Sequence, residues 1–120
     1  MDRKAIDEMY KLDFAVHQRE TFSKVISLED DSGNKISLTG KSVRAEIRPD
    51  IKSNTLTASM TCTVNSTAGV VTIGLTSAQT AAIADGNYVY DVCLISIVNN
   101  VEIRRYLMGG IFTVFPSVTH

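Results

Sequence analysis

The side chains that could carry out acid-base or nucleophilic chemistry are few, and they form no catalytic motif. His17 is followed by Gln18, Arg19 and Glu20, and no serine or cysteine motif is tied to it or to His120. The chain lacks the GxSxG turn that exposes a nucleophilic serine and the glycine-rich loop that binds phosphate. Its acidic residues have no spacing that indicates paired carboxylate catalysis. We therefore expect a protein that is not an enzyme and has no cofactor.

Metal ligation is not expected either. Cys62 and Cys93 have no CxxC partner and no histidine close in the sequence. They form a disulfide if their strands are neighbours, and otherwise remain free thiols, which is the commoner outcome. The acidic residues within 29–35 lack the ligand spacing of calcium loops, so a solvated hairpin turn is favoured over a calcium site.

The totals describe one small globular domain. The chain has 120 residues, of which 44% are hydrophobic and 21% charged, with a formal net charge of -1. This charge gives no long-range attraction to nucleic acid or to an anionic membrane. No apolar run approaches the roughly 20 residues that span a bilayer. We expect neither nucleic acid nor membrane as a partner.

Alternating patterns predict strands. Residues 42–48 alternate between apolar and polar residues, which is typical of a strand with one buried and one exposed face. The exposed face would carry Arg44, Glu46 and Arg48, a candidate contact surface for a partner. Residues 56–64 alternate in the same way.

The segment that follows is the most informative. Residues 78–84 favour a short helix, capped by Thr76 or Ser77 and ended by a glycine. Residues 88–98 are apolar on both faces, so this strand is either covered on both sides or holds one face, with Ile95 and Ile97, for a partner. Asn99 and Asn100 predict a two-residue hairpin turn into a last strand, with a bulge or kink allowed by the glycines at 109 and 110.

The first residues are ambiguous. Ala5, Ile6, Met9 and Tyr10 have helical spacing, which predicts either a short helix or an arm that becomes ordered on a partner. We therefore divide the chain into an N-terminal segment, residues 1–12, and a single domain, residues 13–120. Ile6, Met9 and Tyr10 are candidate partner contacts.

Taken together, these elements predict an all-β protein. Short strands at even spacing, hairpin turns and one short helix in a late crossover are typical of an antiparallel β-sandwich. The architecture would be immunoglobulin-like.

Three segments carry a resemblance to a known family: TFSKVISLEDDSGNKISLTGKSVRAEIRP, GVVTIGLTSAQTAAIADGNYVYDVCL and VEIRRYLMGGIFTVFPSVT. Their DxxG turn, LTG step, G-x-Y-x-Y-D strand start and closing G-x-F-x-V-x-P-x-V-T strand occur in the order seen in that family. The chain resembles the small immunoglobulin-like domains of bacteriophage tail and baseplate proteins, and it is similar to the N-terminal module of baseplate upper proteins.

This resemblance implies a non-enzymatic virion protein, made in the bacterial cytoplasm and located at the tail, baseplate or neck. It would act as an adaptor that contacts other virion proteins and assembles as a homo-oligomer in a symmetric structure. One alternative is a head or collar decoration protein of the same fold. Another is a carbohydrate-binding module for host-surface glycans, for which Tyr10, Tyr88, Tyr90 and Tyr106 are the candidate aromatic residues.

Overall fold

The regular elements of the described residues are β-strands, apart from one short helix. The structure, a computed structural model, describes residues 2–5, 10–29 and 32–120. The strands are β1 (Asp2–Ala5), β2 (Tyr10–Lys11), β3 (Phe14–His17), β4 (Phe22–Glu29), β5 (Lys41–Arg48), β6 (Ala58–Asn65), β7 (Val70–Leu75), β8 (Gly86–Val98) and β9 (Val101–Phe115), and the helix is α1 (Ser77–Ala81). The all-β prediction is confirmed.

The strands form one continuous sheet. Its order is β1-β4-β7-β6-β5-β8-β9-β2, and β3 also pairs with β9. Strand β6 joins the two halves, because its first residues pair with β5 and its later residues pair with β7. The sheet therefore curves around a single core. Whether it counts as an immunoglobulin-like sandwich stays a prediction at this point.

Period-two alternation accounts for the core. On β5 the buried residues are Val43, Ala45 and Ile47, as their spacing predicts. The other core-forming strands contribute Val16 from β3, Phe22, Ile26 and Leu28 from β4, Met60 from β6, Val71, Ile73 and Leu75 from β7, Tyr90, Val92 and Leu94 from β8, and Leu107, Met108, Phe112 and Val114 from β9. Aromatic rings join these strands, since Phe22 packs edge-on against Phe112 at a centroid distance of 5.3 Å.

The predicted short helix is present in the crossover between β7 and β8. Thr76 is its N-cap and forms a capping box with Gln79, which satisfies backbone donors that the first turn leaves open. Thr80 is fully buried, and its hydroxyl donates to the backbone carbonyl of Glu20 at 2.9 Å. The helix ends at Ala81, earlier than the predicted end at residue 84.

Strands β8 and β9 form a long hairpin. Asn99 and Asn100 have φ values of 51° and 64°, as a tight two-residue turn requires, so this prediction is confirmed. The ladder register shifts between Val92 and Cys93, which leaves Leu107 as an extra residue on β9. We expected the bulge at the glycines 109 and 110, but it lies before them, at Leu107. As a result, Leu107 and Met108 are both buried in the core.

The first three strands lie along both edges of the sheet. β1 pairs in parallel with β4, whereas β2 and β3 pair in parallel with β9. The helical alternative is therefore wrong for residues 2–5 and 10–12. Ile6 and Met9 lie outside the described residues, and the division of the chain at residue 12 stays a prediction.

Gly110 allows the chain at Leu12 and Asp13 to lie close against β9. A Cβ atom at Gly110 would lie 2.5 Å from the carbonyl oxygen of Leu12 and 2.6 Å from Oδ1 of Asp13. The amide of Leu12 donates to the carbonyl of Gly109 at 3.1 Å, and the Tyr90 hydroxyl donates to the carbonyl of Leu12. The glycine is thus required by a close backbone approach.

We expect Gly110→Ala to lower the free energy of unfolding by about 1–3 kcal/mol, because the added methyl group overpacks a site bounded by backbone. Urea denaturation measures this change. Ser59→Ala, on an exposed position of β6, is the control and should stay near wild type. Equal stability of the two variants would contradict the close approach of Leu12 and Asp13 to Gly110.

Candidate functional site

Five of the predicted contact residues come together on one face of the sheet. We call outer face the side of β5, β8 and β9 that points away from the core. The register places Arg44 opposite Cys93 and Glu46 opposite Asp91. Ile95 and Ile97 follow on β8, and Arg48 lies at the other end of β5.

These residues differ in what they offer to a partner. Arg44 is exposed, and Ile97 is 61% exposed. Ile95 is only 7% exposed, so little of its side chain is available for contact. Tyr10 belongs to β2, while Ile6 and Met9 lie outside the described residues. Their roles as contacts stay predictions.

Ion pairs neutralise much of the charge on the outer face. Nη2 of Arg48 lies 2.8 Å from Oε1 of Glu46, and Nε of Arg104 lies 2.6 Å from Oε2 of Glu102. The Arg48 pair is half-buried, and the Arg104 pair is more exposed. Such surface pairs contribute little to stability, about 0–1 kcal/mol. Because these four side chains neutralise one another in pairs, the net charge of this region comes from its other charged groups.

A cleft of about 430 Å³ opens beside this face. Its apolar lining includes Val89, Ile111 and Ile51, and Ile51 is 88% exposed. Gly109 stands opposite Asp91 on β9 and brings no side chain to the floor. Lys11 and Asp13 form one wall of the cleft. There, Oδ1 of Asp13 accepts the backbone N–H of Ile111 at 2.9 Å. The cleft thus combines an apolar floor with carboxylates.

Among the carboxyl groups that line this cleft, that of Asp91 has a raised pKa. Although the residue stays exposed on one side, the walls of the cleft desolvate its carboxyl and raise its pKa. The nearby carboxylate of Glu46 raises the pKa further, while the guanidinium of Arg48 acts in the opposite direction. Charge on Asp91 therefore costs the folded protein free energy.

A second surface was indicated by the sequence only through Ile97. Strand β5 pairs with β8 only as far as Ser96, so the hairpin projects beyond the sheet. We call the end of the hairpin, residues 97–105, the hairpin tip; its residues 97–102 extend past the last pair with β5. It exposes Ile97 (61%), Val98 (49%), Val101 (58%) and Ile103 (45%). The unusual length of the apolar run in β8 was the signal that could have indicated it.

The exposed residues of the tip continue the core pattern. Arg105 stands opposite the core residue Leu94, Ile103 opposite Ser96, and Val101 opposite Val98. Because side chains alternate with a period of two, Val98, Val101 and Ile103 lie on the side of the hairpin that faces the core lower down. The hairpin thus carries an apolar face past the end of the core.

The tyrosines offer little for sugar binding. Tyr90 is 4% exposed, and the hydroxyl of the half-buried Tyr88 donates to the carbonyl of Ala84 at 2.6 Å. Tyr106 is 46% exposed on β9. Among the tyrosines whose side chains are described, Tyr106 alone presents a large free surface.

The two cysteines are free thiols, so the disulfide alternative is wrong. Cys62 lies on β6 and Cys93 on β8, and β5 lies between these strands. Burial raises the pKa of both thiols, which keeps them neutral near pH 7.

Within residues 2–5, 10–29 and 32–120, no group of three or more histidine, cysteine or acidic side chains could hold a metal ion. His17 lies with Nδ1 at 3.8 Å from the carboxylate of Glu20. No helix in the described part of the chain is long and apolar enough to cross a membrane.

Comparisons with known proteins bear on the fold of this chain. No protein-family model matches the sequence, and no curated protein matches it. Solved structures do match. The chain is similar to the N-terminal domain of phage TP901-1 ORF48, with a TM-score of 0.56 and 9% sequence identity, over 96% of this chain and 99% of that one. The predicted resemblance to phage domains is thereby confirmed at the level of the fold.

We expect Asp91→Asn to raise the free energy of unfolding at pH 7. Since the folded pKa is raised, the stability contributed by Asp91 is fully present below the unfolded value, 3.8, and is lost as pH rises through the folded value. The advantage of the variant should therefore shrink as pH falls towards that value. Urea denaturation at several pH values measures it.

The matched control is Asp85→Asn, which removes a carboxyl group from an exposed position before β8. If both variants differed from wild type in the same way across pH, the cleft would not be the cause.

Proposed function

We propose that this chain is a structural protein of a bacteriophage virion, without enzymatic activity. It would act as an adaptor at the tail, baseplate or fibre junction and assemble in several copies. The observation that carries the proposal is the shared fold, which extends over 96% of this chain and 99% of the phage TP901-1 ORF48 N-terminal domain. Because a fold hosts many functions, the surfaces of this chain must supply the further support.

We also infer that the sheet is an immunoglobulin-like sandwich. The strand orders β4-β7-β6 and β5-β8-β9 follow the pairing of the B-E-D and C-F-G strands in immunoglobulin domains. The short strand β3 pairs with the last strand in parallel, away from its sequence neighbour β4. Strand β6, which pairs with both halves, connects the two layers of the proposed sandwich.

The distribution of exposed apolar residues supports protein–protein contacts. Large apolar side chains that remain exposed are concentrated on the last hairpin: Ile97, Val98, Val101, Ile103, Tyr106, Ile111 and Phe115. Val98, Val101 and Ile103 share one face of the tip, and neighbouring exposed apolar residues of this kind are typical of interaction sites. In a symmetric assembly, each such contact is repeated in every copy.

Immunogold labelling of intact phage particles tests the proposed location, with an antibody raised against this chain. We expect gold at the tail tip, baseplate or neck. Gold on the head would instead support a decoration protein. Absence of label on particles, when the chain is expressed and its epitopes are accessible, would overturn the virion proposal and make binding to host glycans the next function to test.

A further inference from the structure

We propose that the hairpin tip of one copy binds in the cleft of a second copy of this chain. The proposal rests on the proposed role in a symmetric assembly and deepens it, because it names both contacting surfaces. The occupant of the cleft is a second copy, in a head-to-tail arrangement.

The tip has the shape and composition of an inserting element. Its exposed apolar residues are Ile97, Val98, Val101 and Ile103, and the ladder continues to the last pair, Val98 with Val101. A two-residue turn closes it, so the apolar side chains are held on a rigid ribbon. A preorganised element loses little conformational freedom on binding.

The cleft offers space and apolar surface to such an element. Its volume is about 430 Å³, which is within the range of about 300–1,000 Å³ found for small-molecule pockets. Ile111 is 47% exposed and Ile51 is 88% exposed, so apolar surface is available on the receiving side as well. Burying both apolar surfaces against each other removes them from water.

Charge distinguishes the two surfaces. In the cleft, Glu46 is paired with Arg48, which leaves Asp13, Asp50 and Asp91 against the single cation Lys11. At the tip, Glu102 is paired with Arg104, which leaves the exposed cation Arg105. An apolar tip with a positive charge thus matches an apolar cleft with excess negative charge. Such complementarity favours tip-to-cleft contact over tip-to-tip contact.

The two surfaces cannot meet within one chain. Both lie on β8 and β9, and the eight steps along the chain from Tyr90 to Val98 span about 26 Å at the rise of an extended strand. A paired hairpin does not fold back over that length. The contact is therefore intermolecular and joins unlike patches, so repeated copies close into a ring or continue as a chain.

The test uses the purified full chain and two variants. Ile103→Glu places a charge on the tip, and Ile111→Glu places a charge in the cleft; both positions are exposed, so folding should be retained. Analytical ultracentrifugation over increasing concentration should show wild type associating and each variant remaining monomeric. Val118→Glu, at a position 99% exposed and outside both surfaces, should associate like wild type.

Mixing the two variants decides the arrangement. The intact tip of the Ile111→Glu chain can bind the intact cleft of the Ile103→Glu chain, so an equimolar mixture should form a one-to-one dimer and nothing larger. Self-association of Ile111→Glu alone would indicate tip-to-tip contact and overturn the proposal. A wild-type chain that stays monomeric into the millimolar range would also overturn it, whereas the location of the chain in the virion is tested separately by immunogold labelling.

Discussion

The pairing of β8 with β9 is the interaction on which the rest of the structure depends. It joins 13 residue pairs, from Gly86 with Val114 to Val98 with Val101. Between the bulge and the end of the ladder at Gly86 and Val114, both strands supply buried side chains. The edge of β9 that does not pair with β8 pairs with β2 and β3. Each backbone hydrogen bond contributes only about 1 kcal/mol net. A ladder of this length is nevertheless stable, because the part of it outside the hairpin tip is packed into the core.

The bulge at Leu107 determines which residues of β9 face inward. Without it, strict alternation would place Leu107 and Met108 on opposite faces. With the extra residue, both are buried, while Tyr106 stays on the outer face and Gly109 stands opposite Asp91. The bulge therefore sets the position of the cleft floor relative to the hairpin tip.

The surfaces of this domain follow from that arrangement. The ladder outruns β5, which leaves the tip uncovered, and the glycines of β9 leave room for the N-terminal segment and for the cleft. The fold is shared with a phage domain at 9% identity. This is understandable, because the pattern of buried positions specifies such a sheet and many different residues satisfy it.

Several local elements could be predicted from the amino-acid pattern alone. Alternation identified β5, helix and cap signals identified α1, and Asn99 and Asn100 identified the last turn. Three features follow only from the three-dimensional packing: the cysteines lie on separated strands, Leu12 lies against Gly110, and the bulge falls at Leu107. The physical reason is range. Periodicity and turn chemistry act between neighbours in sequence. The cleft and the contact of Leu12 with Gly110 instead join segments about 100 residues apart, and the packing of the whole core sets how these segments pair.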